Sequence, residues 1–204
     1  MSKIKNVVFD FGQVLVHFEP RYMVECYVKD EPDASLLTEV VFDRAYWDKL
    51  DAGTITNEET LSLCHARLPE RLWDVADKIY CNWIYNIPEF DGMSELIDTL
   101  RAKYGKKIFL LSNISNYFAE NSGKIPILSK IDKCIFSAPL GIVKPNPAIF
   151  EHLCSECEIV PEESIFVDDN AANVAAAEKL GISTYRFDGD VKALCAYFDT
   201  LFGE

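Results

Sequence analysis

Ile4-Lys5-Asn6-Val7-Val8-Phe9-Asp10-Phe11-Gly12-Gln13-Val14-Leu15 is the stretch from which the fold can be read. Residues 4–10 are a short, almost continuously apolar run that ends on a carboxylate. A run that does not alternate between apolar and polar residues reads as a strand buried on both faces, as in a parallel sheet. Four later segments have the same character: 107–112 (Lys-Ile-Phe-Leu-Leu-Ser), 134–137 (Cys-Ile-Phe-Ser), 164–168 (Ser-Ile-Phe-Val-Asp) and 182–187 (Ile-Ser-Thr-Tyr-Arg-Phe). Helical patterns alternate with them. Met93, Leu96, Ile97 and Leu100 share one face of a helix over 93–104, with Gly105 as its C-terminal cap. Asn146-Pro147 starts a helix through Cys157, with Pro at the first helical position. An Ala-rich helix spans 171–180, and a last one 190–202. The expected fold is α/β: a doubly wound, three-layer parallel sheet.

Residues 16–87 interrupt this alternation. They carry helical stretches near 20–30, 34–50, 57–67 and 69–84, and no strand beyond about residue 18. Thr56 and Glu59 form a capping box before the third stretch. The expected organisation is a core made of 1–15 and 88–204, with an inserted helical cap over 16–87. Trp47, Trp73 and Trp83 all fall in the insert and are expected to build its core.

Composition narrows the function. The chain has 204 residues, 20 Lys plus Arg against 33 Asp plus Glu, and a formal net charge of −13. That balance argues against a nucleic-acid partner, whose phosphates require clustered Lys and Arg, and against docking on an anionic membrane. No run approaches the length of a spanning helix, and Asp10 interrupts the first apolar run, so neither a membrane span nor a signal peptide is expected. The 7 cysteines are unevenly spaced. Reduced thiols and a cytoplasmic location are therefore expected. Cys154 and Cys157 share a helix face and have no further pair to complete a zinc site, so packing is their expected role.

Ligands of doubly wound sheets bind beyond the carboxyl ends of the strands. There the sequence places Asp10 and Gly12, then Ser112-Asn113, then Lys144-Pro145, then Asp168-Asp169-Asn170. Each is ordinary alone: Ser-Asn caps helices, and Asp often closes a strand. Together they put three carboxylates at one edge, which repel unless a cation joins them. Hard oxygen ligands favour Mg²⁺.

These four ordered motifs resemble those of the haloacid dehalogenase-like hydrolase superfamily, and the insert after the first resembles its C1-type cap. The resemblance covers essentially the whole chain, and is nearest to bacterial sugar-phosphate phosphatases of the α-D-glucose-1-phosphate phosphatase type and to the amino-terminal phosphatase domain of soluble epoxide hydrolases. It implies Mg²⁺-dependent hydrolysis of a small phosphorylated metabolite, a sugar phosphate favoured, through an aspartyl-phosphate on Asp10. It further implies that Asp10, the Gly12 carbonyl, Asp169 and Asp168 bind the metal. Ser112, Asn113 and Lys144 would hold the phosphate, with Lys144 also orienting Asp10. Phosphatases of this superfamily usually carry a second Asp, as general acid and base, where this chain has Gly12. His17 is the nearest candidate substitute. His65, His152 and Arg21 are expected to be structural. Other readings of the same motifs are a 2-haloacid dehalogenase, which needs no metal, a phosphomutase, which needs the missing acid/base, and a non-catalytic binding protein.

Overall fold

A five-stranded parallel sheet organises the chain in this computed structural model, which describes residues 3–203. Its strands are β1 (Asn6–Phe9), β2 (Lys107–Ser112), β3 (Lys133–Phe136), β4 (Ser164–Asp168) and β5 (Ser183–Arg186), in the order β3-β2-β1-β4-β5. All five segments expected from the sequence are present, some a little shorter. β1, buried along its whole length, takes the centre: Val8 lies opposite Phe109 of β2 and Phe166 of β4. β5 lies at an edge, and there the more polar Ser183-Thr184-Tyr185-Arg186 is only partly buried.

Five helices follow β1: α1 (Pro20–Glu25), α2 (Glu31–Val41), α3 (Arg44–Asp51), α4 (Asn57–Arg67) and α5 (Trp73–Asn82). α6 (Met93–Ala102) leads into β2, and α7 (Asn116–Asn121) begins the connection to β3. α8 (Ser137–Leu140) and α9 (Pro147–Glu156) precede β4, α10 (Ala171–Lys179) precedes β5, and α11 (Val191–Phe202) closes the fold.

Side chains alternate between the two faces of a strand. Val7 and Phe9 pack in one buried cluster with Leu96 and Ile97 of α6 and Leu194 and Phe198 of α11. Val8, Phe109 and Phe166 pack in a second with Ile149 and Phe150 of α9 and Ala177 of α10. The three layers follow from that alternation. Each fully buried Val, Leu, Ile or Phe contributes roughly 1.5–3 kcal/mol relative to an exposed one.

The helical stretch after β1 is more divided than its periodicity suggests. The run expected at 34–50 splits between α2 and α3, because Asp43 leaves the helix and caps α3, its Oδ1 accepting from the Ala45 N–H at 2.9 Å. The capping box at α4 forms as expected: the Thr56 N–H donates to Glu59 Oε2 at 2.9 Å, and the Glu59 N–H to Thr56 Oγ1 at 3.1 Å. The tryptophans divide. Trp47 and Trp83 are buried with ring centroids 5.1 Å apart, whereas Trp73 lies at the surface, stacked on His65. The α4–α5 turn holds Trp73 there, its indole N–H donating to the carbonyls of His65 and Leu68.

The outgoing and returning chains run side by side. The His17 N–H donates to the Pro88 carbonyl at 2.8 Å, and the Phe90 N–H to that of Leu15 at 3.1 Å. The buried cluster on the α6 and α11 face continues into the helical insert, with Phe118 bridging Phe11 at 4.8 Å and Trp83 at 5.6 Å between ring centroids.

Candidate active site

Because the strands are parallel, the ends of β1, β2 and β4 lie along one edge. Asp10 extends the ladder of β1, its N–H donating to Val167 O at 2.9 Å. Ser112 ends β2 and Asp168 ends β4. Lys144 arrives from the loop before α9. A cavity of about 210 Å³ opens here, walled by Asp10, Ser112, Lys144 and Asp169 from the sheet side and by Phe18, Trp47 and Asp51 from the helical insert.

Lys144 is the hub. Its side chain is 1% exposed, and its ammonium lies 2.8 Å from Asp10 Oδ1 and 2.8 Å from Asp168 Oδ2. It also donates to the Leu111 carbonyl at 2.9 Å. The Asn113 amide holds the lysine's backbone from both sides: Oδ1 accepts from the Lys144 N–H at 2.7 Å, and Nδ2 donates to the Lys144 carbonyl at 3.0 Å. The side chain of Asn113 thus orders the lysine loop from within the cavity wall.

Asp168 is fully engaged. Its Oδ2 takes the lysine, its Oδ1 accepts from the Asn170 N–H at 2.8 Å, and Asn173 Nδ2 lies 3.1 Å from both oxygens. Asp10 is not. Its Oδ1 is close enough to Lys144 for an ion pair, yet this buried oxygen has no hydrogen-bond partner. Asp10, Asp168 and Asp169 bring one oxygen each to within 4.8 Å of one another, the arrangement of a cation site. An all-oxygen anionic donor set with one buried oxygen unsatisfied fits Mg²⁺.

The charges act on one another. Burial raises the Asp10 carboxyl to about 6; Lys144 opposes that rise, and Asp168 adds to it. Burial also raises Asp169, helped by the Asp168 charge. Burial alone would lower Lys144, but Asp10 and Asp168 outweigh it and hold the ammonium above its ordinary value, so it stays charged.

Gly12 sits in the cavity wall. A Cβ added there would meet only Phe18 Cβ, at the ordinary contact distance of 3.7 Å. Neither space nor backbone conformation requires glycine at this position. The structure does not bring His17 into the cavity wall: its half-buried ring packs on Phe90, with centroids 3.6 Å apart. Arg21 is tied to Glu25 at 2.6 Å, to Glu31 and to Ser35, away from the cavity. His65 Nε2 lies 2.7 Å from Asp77 Oδ1 in the insert. The cysteines are all free, and Cys157 packs beneath the sheet with Ile149 and Leu153.

Sequence reasoning missed Asn173, Arg44, Trp47 and Asp51. For Asn173 a signal exists, since position i+5 from a strand-terminal Asp lies in the first turn of the next helix and can reach back. For Asp51 the signal is Gly53, two residues on. Its φ is +67°, and a Cβ there would stand 2.4 Å from the Ala138 carbonyl oxygen. The end of α3 therefore touches the backbone of α8, and Ser137 Oγ donates to the Asp51 carbonyl at 2.6 Å. That contact carries Asp51 to the cavity.

The family model of the haloacid dehalogenase-like hydrolases matches residues 4–181. The chain belongs to this family. A D-ribitol-5-phosphate phosphatase of Bacteroides thetaiotaomicron is 26% identical over 196 residues, covering 90% of this chain and 91% of that protein. (S)-2-haloacid dehalogenase 4A of Burkholderia cepacia is 29% identical over 100 residues, covering 48% of this chain and 43% of that protein. Among solved structures, a predicted HAD-like family hydrolase from Porphyromonas gingivalis superposes with a TM-score of 0.69 at 25% identity, over 97% of this chain and 98% of the other. The haloacid dehalogenase-like fold and hydrolase class expected from the motifs are thus the chain's own. No helix among the described residues is long and apolar enough to cross a membrane.

Proposed function

We propose that this hydrolase cleaves a small phosphomonoester, a sugar or polyol phosphate, in a Mg²⁺-dependent reaction that passes through an aspartyl-phosphate on Asp10. The observation that carries this reading is the unsatisfied Oδ1 of Asp10, held beside a buried ammonium and within 4.8 Å of two further carboxylates. A dehalogenase attacks a carbon with no dianion attached and has no need of such a cation site. The sequence match to the phosphatase relative also covers 90% of this chain, against 48% for the dehalogenase relative.

Asp10, Asp169 and the Gly12 carbonyl would hold Mg²⁺. Asp168, already taken by Lys144, Asn170 and Asn173, would add its charge from behind and keep the lysine aimed. Bound Mg²⁺ supplies positive charge to a site where a carboxylate must approach a phosphate dianion. Two like charges 4 Å apart cost roughly 4 kcal/mol at an effective dielectric of 20. Lys144 offsets part of that repulsion at the transferring phosphoryl group and holds Asp10 in line for attack. Ser112 would donate to a phosphate oxygen. Catalysis is then chiefly positioning and electrostatics.

Residues 16–87 act in this reading as a cap on the core of 1–15 and 88–204, contributing the far wall of the cavity. Aromatic faces of Phe18 and Trp47 beside Gln13, Asn170 and Arg44 suit a short hydroxylated carbon chain. The cavity is smaller than the roughly 300–1,000 Å³ of drug-sized sites. Its acidic setting favours one phosphate group over a polyanion, since attraction must come locally against the overall field. The test is phosphate release from a panel of C3 to C6 sugar and polyol phosphates, with Mg²⁺ and with EDTA. Turnover with Mg²⁺ that Asp10→Asn abolishes is expected; no turnover of any member by metal-loaded protein overturns the reading.

A further inference from the structure

The geometry points to Asp51, a residue of the helical insert, as the general acid and base of this site: the group that protonates the departing alkoxide and later deprotonates the attacking water. The inference rests on the phosphatase reading above and supplies what that reading lacks, a proton donor. Gly12 has no side chain, and His17 packs on Phe90 outside the cavity wall.

The other titratable groups of the cavity wall are already committed. Lys144 is shared between Asp10 and Asp168, Asp10 is the nucleophile, and Asp169 stands in the cation site. Arg44 is a cation that does not exchange its proton in this pH range, and it pairs with Asp48 at 2.5 Å. Asp51 remains, and among the described residues its carboxylate has neither a hydrogen-bond nor an ion-pair partner. Its backbone is fixed independently of any ligand, by the hydrogen bond from Ser137 and by Gly53 against the Ala138 carbonyl.

The environment of Asp51 suits a proton carrier. Burial raises its carboxyl to about 7; Arg44 opposes that, Asp48 on its own helix and Asp10 across the cavity add to it, and Lys144 opposes it. An acid tuned to the working pH is both protonated often enough to donate and basic enough to accept.

The step balances. Asp10 Oδ bonds to phosphorus as the bond from phosphorus to the leaving oxygen breaks, and the Asp51 proton passes to that oxygen to give the alcohol. Water then attacks phosphorus and gives one proton to the Asp51 carboxylate. The bond from phosphorus to Asp10 breaks, and hydrogen phosphate leaves with Asp10 ionised and Asp51 protonated again.

The experiment compares kcat/KM, which reports steps through leaving-group departure, for 4-nitrophenyl phosphate and for the alkyl phosphomonoester the wild type turns over best. Nitrophenolate leaves without protonation; an alkoxide does not. Asp51→Asn should lower the alkyl value by about 10²–10⁴-fold and the aryl value by less than about tenfold. Asp51→Glu, which keeps the acid, should hold the two substrates near their wild-type ratio and serves if the Asn variant does not fold. Equal losses on both substrates, or no loss on either, overturn the role of Asp51 alone. A wild type inert toward both overturns the phosphatase reading itself, and this inference with it.

Discussion

Asp51→Asn should stabilise the protein as pH rises, even as it slows turnover. In the folded state burial holds the Asp51 carboxyl at about 7, against its ordinary 3.8. Between those values the folded chain keeps a proton that the unfolded chain has released, so folding stability falls as pH rises through this window. Above about pH 7 both states are ionised and the cost is complete. At ~1.4 kcal/mol per decade of pKa, the burial of this charge costs roughly 4 kcal/mol. That figure is an upper limit, because residual solvent contact screens it. Asparagine has nearly the same shape and no charge, so the variant escapes the penalty. The assay is urea denaturation of both proteins at intervals from pH 4 to pH 9, in EDTA so that bound metal does not contribute. The stability of the variant relative to wild type should climb by 1–4 kcal/mol, on the order of the limit above, between pH 4 and 7, and then level off. A difference that stays constant with pH would refute the burial argument for Asp51, whatever the kinetics show.

Lys144→Met should cost about 3–5 kcal/mol at pH 8, because it leaves Asp10 and Asp168 buried without their shared cation; the loss should shrink as Asp10, raised by burial, protonates at lower pH, and urea midpoints across pH check it. Gly53→Ala should destabilise by at least about 1 kcal/mol, since φ is +67° and the Ala138 carbonyl occupies the space of the new methyl group; an unchanged denaturation midpoint would show that α3 and α8 do not hold each other. Cap closure over substrate should alter tryptophan emission when Mg²⁺ and vanadate bind, with Trp47 as the reporter because it alone of the three lines the cavity; the response should vanish in Trp47→Phe, and an unchanged wild-type spectrum alongside demonstrated binding would mean a static cap.

Much of the fold is local in origin and so was legible along the chain. Val7-Val8-Phe9 can only be buried on both faces, and helices with one apolar stripe must flank such a strand. The motif residues at the strand ends were equally legible, because parallel strands carry their carboxyl ends to one edge whatever the loops do. Roles within that edge were less so. Ser112-Asn113 reads as a phosphate cradle, but the chain gives no sign that the Asn113 amide also holds the backbone of Lys144, a partner 31 residues away. Asp168 and Asp169 look equivalent in sequence, but only Asp168 has both oxygens engaged, because Asn173 and Lys144 converge on it.

What the sequence determined by itself was the parallel sheet, the helical insert and the group of Asp10, Ser112, Lys144 and the Asp168-Asp169 pair, since strand burial and strand polarity suffice for those. What only the tertiary structure decided was the far wall of the cavity. Asp51 stands 41 positions from Asp10, at the end of a helix of balanced charge, and only the glycine two residues on hints at a close approach. It becomes part of the site because α3 docks on α8, through Ser137 and through a glycine small enough to let two backbones meet. The rise of its carboxyl is likewise a product of docking, since the burial that causes it comes only once the insert lies against the sheet.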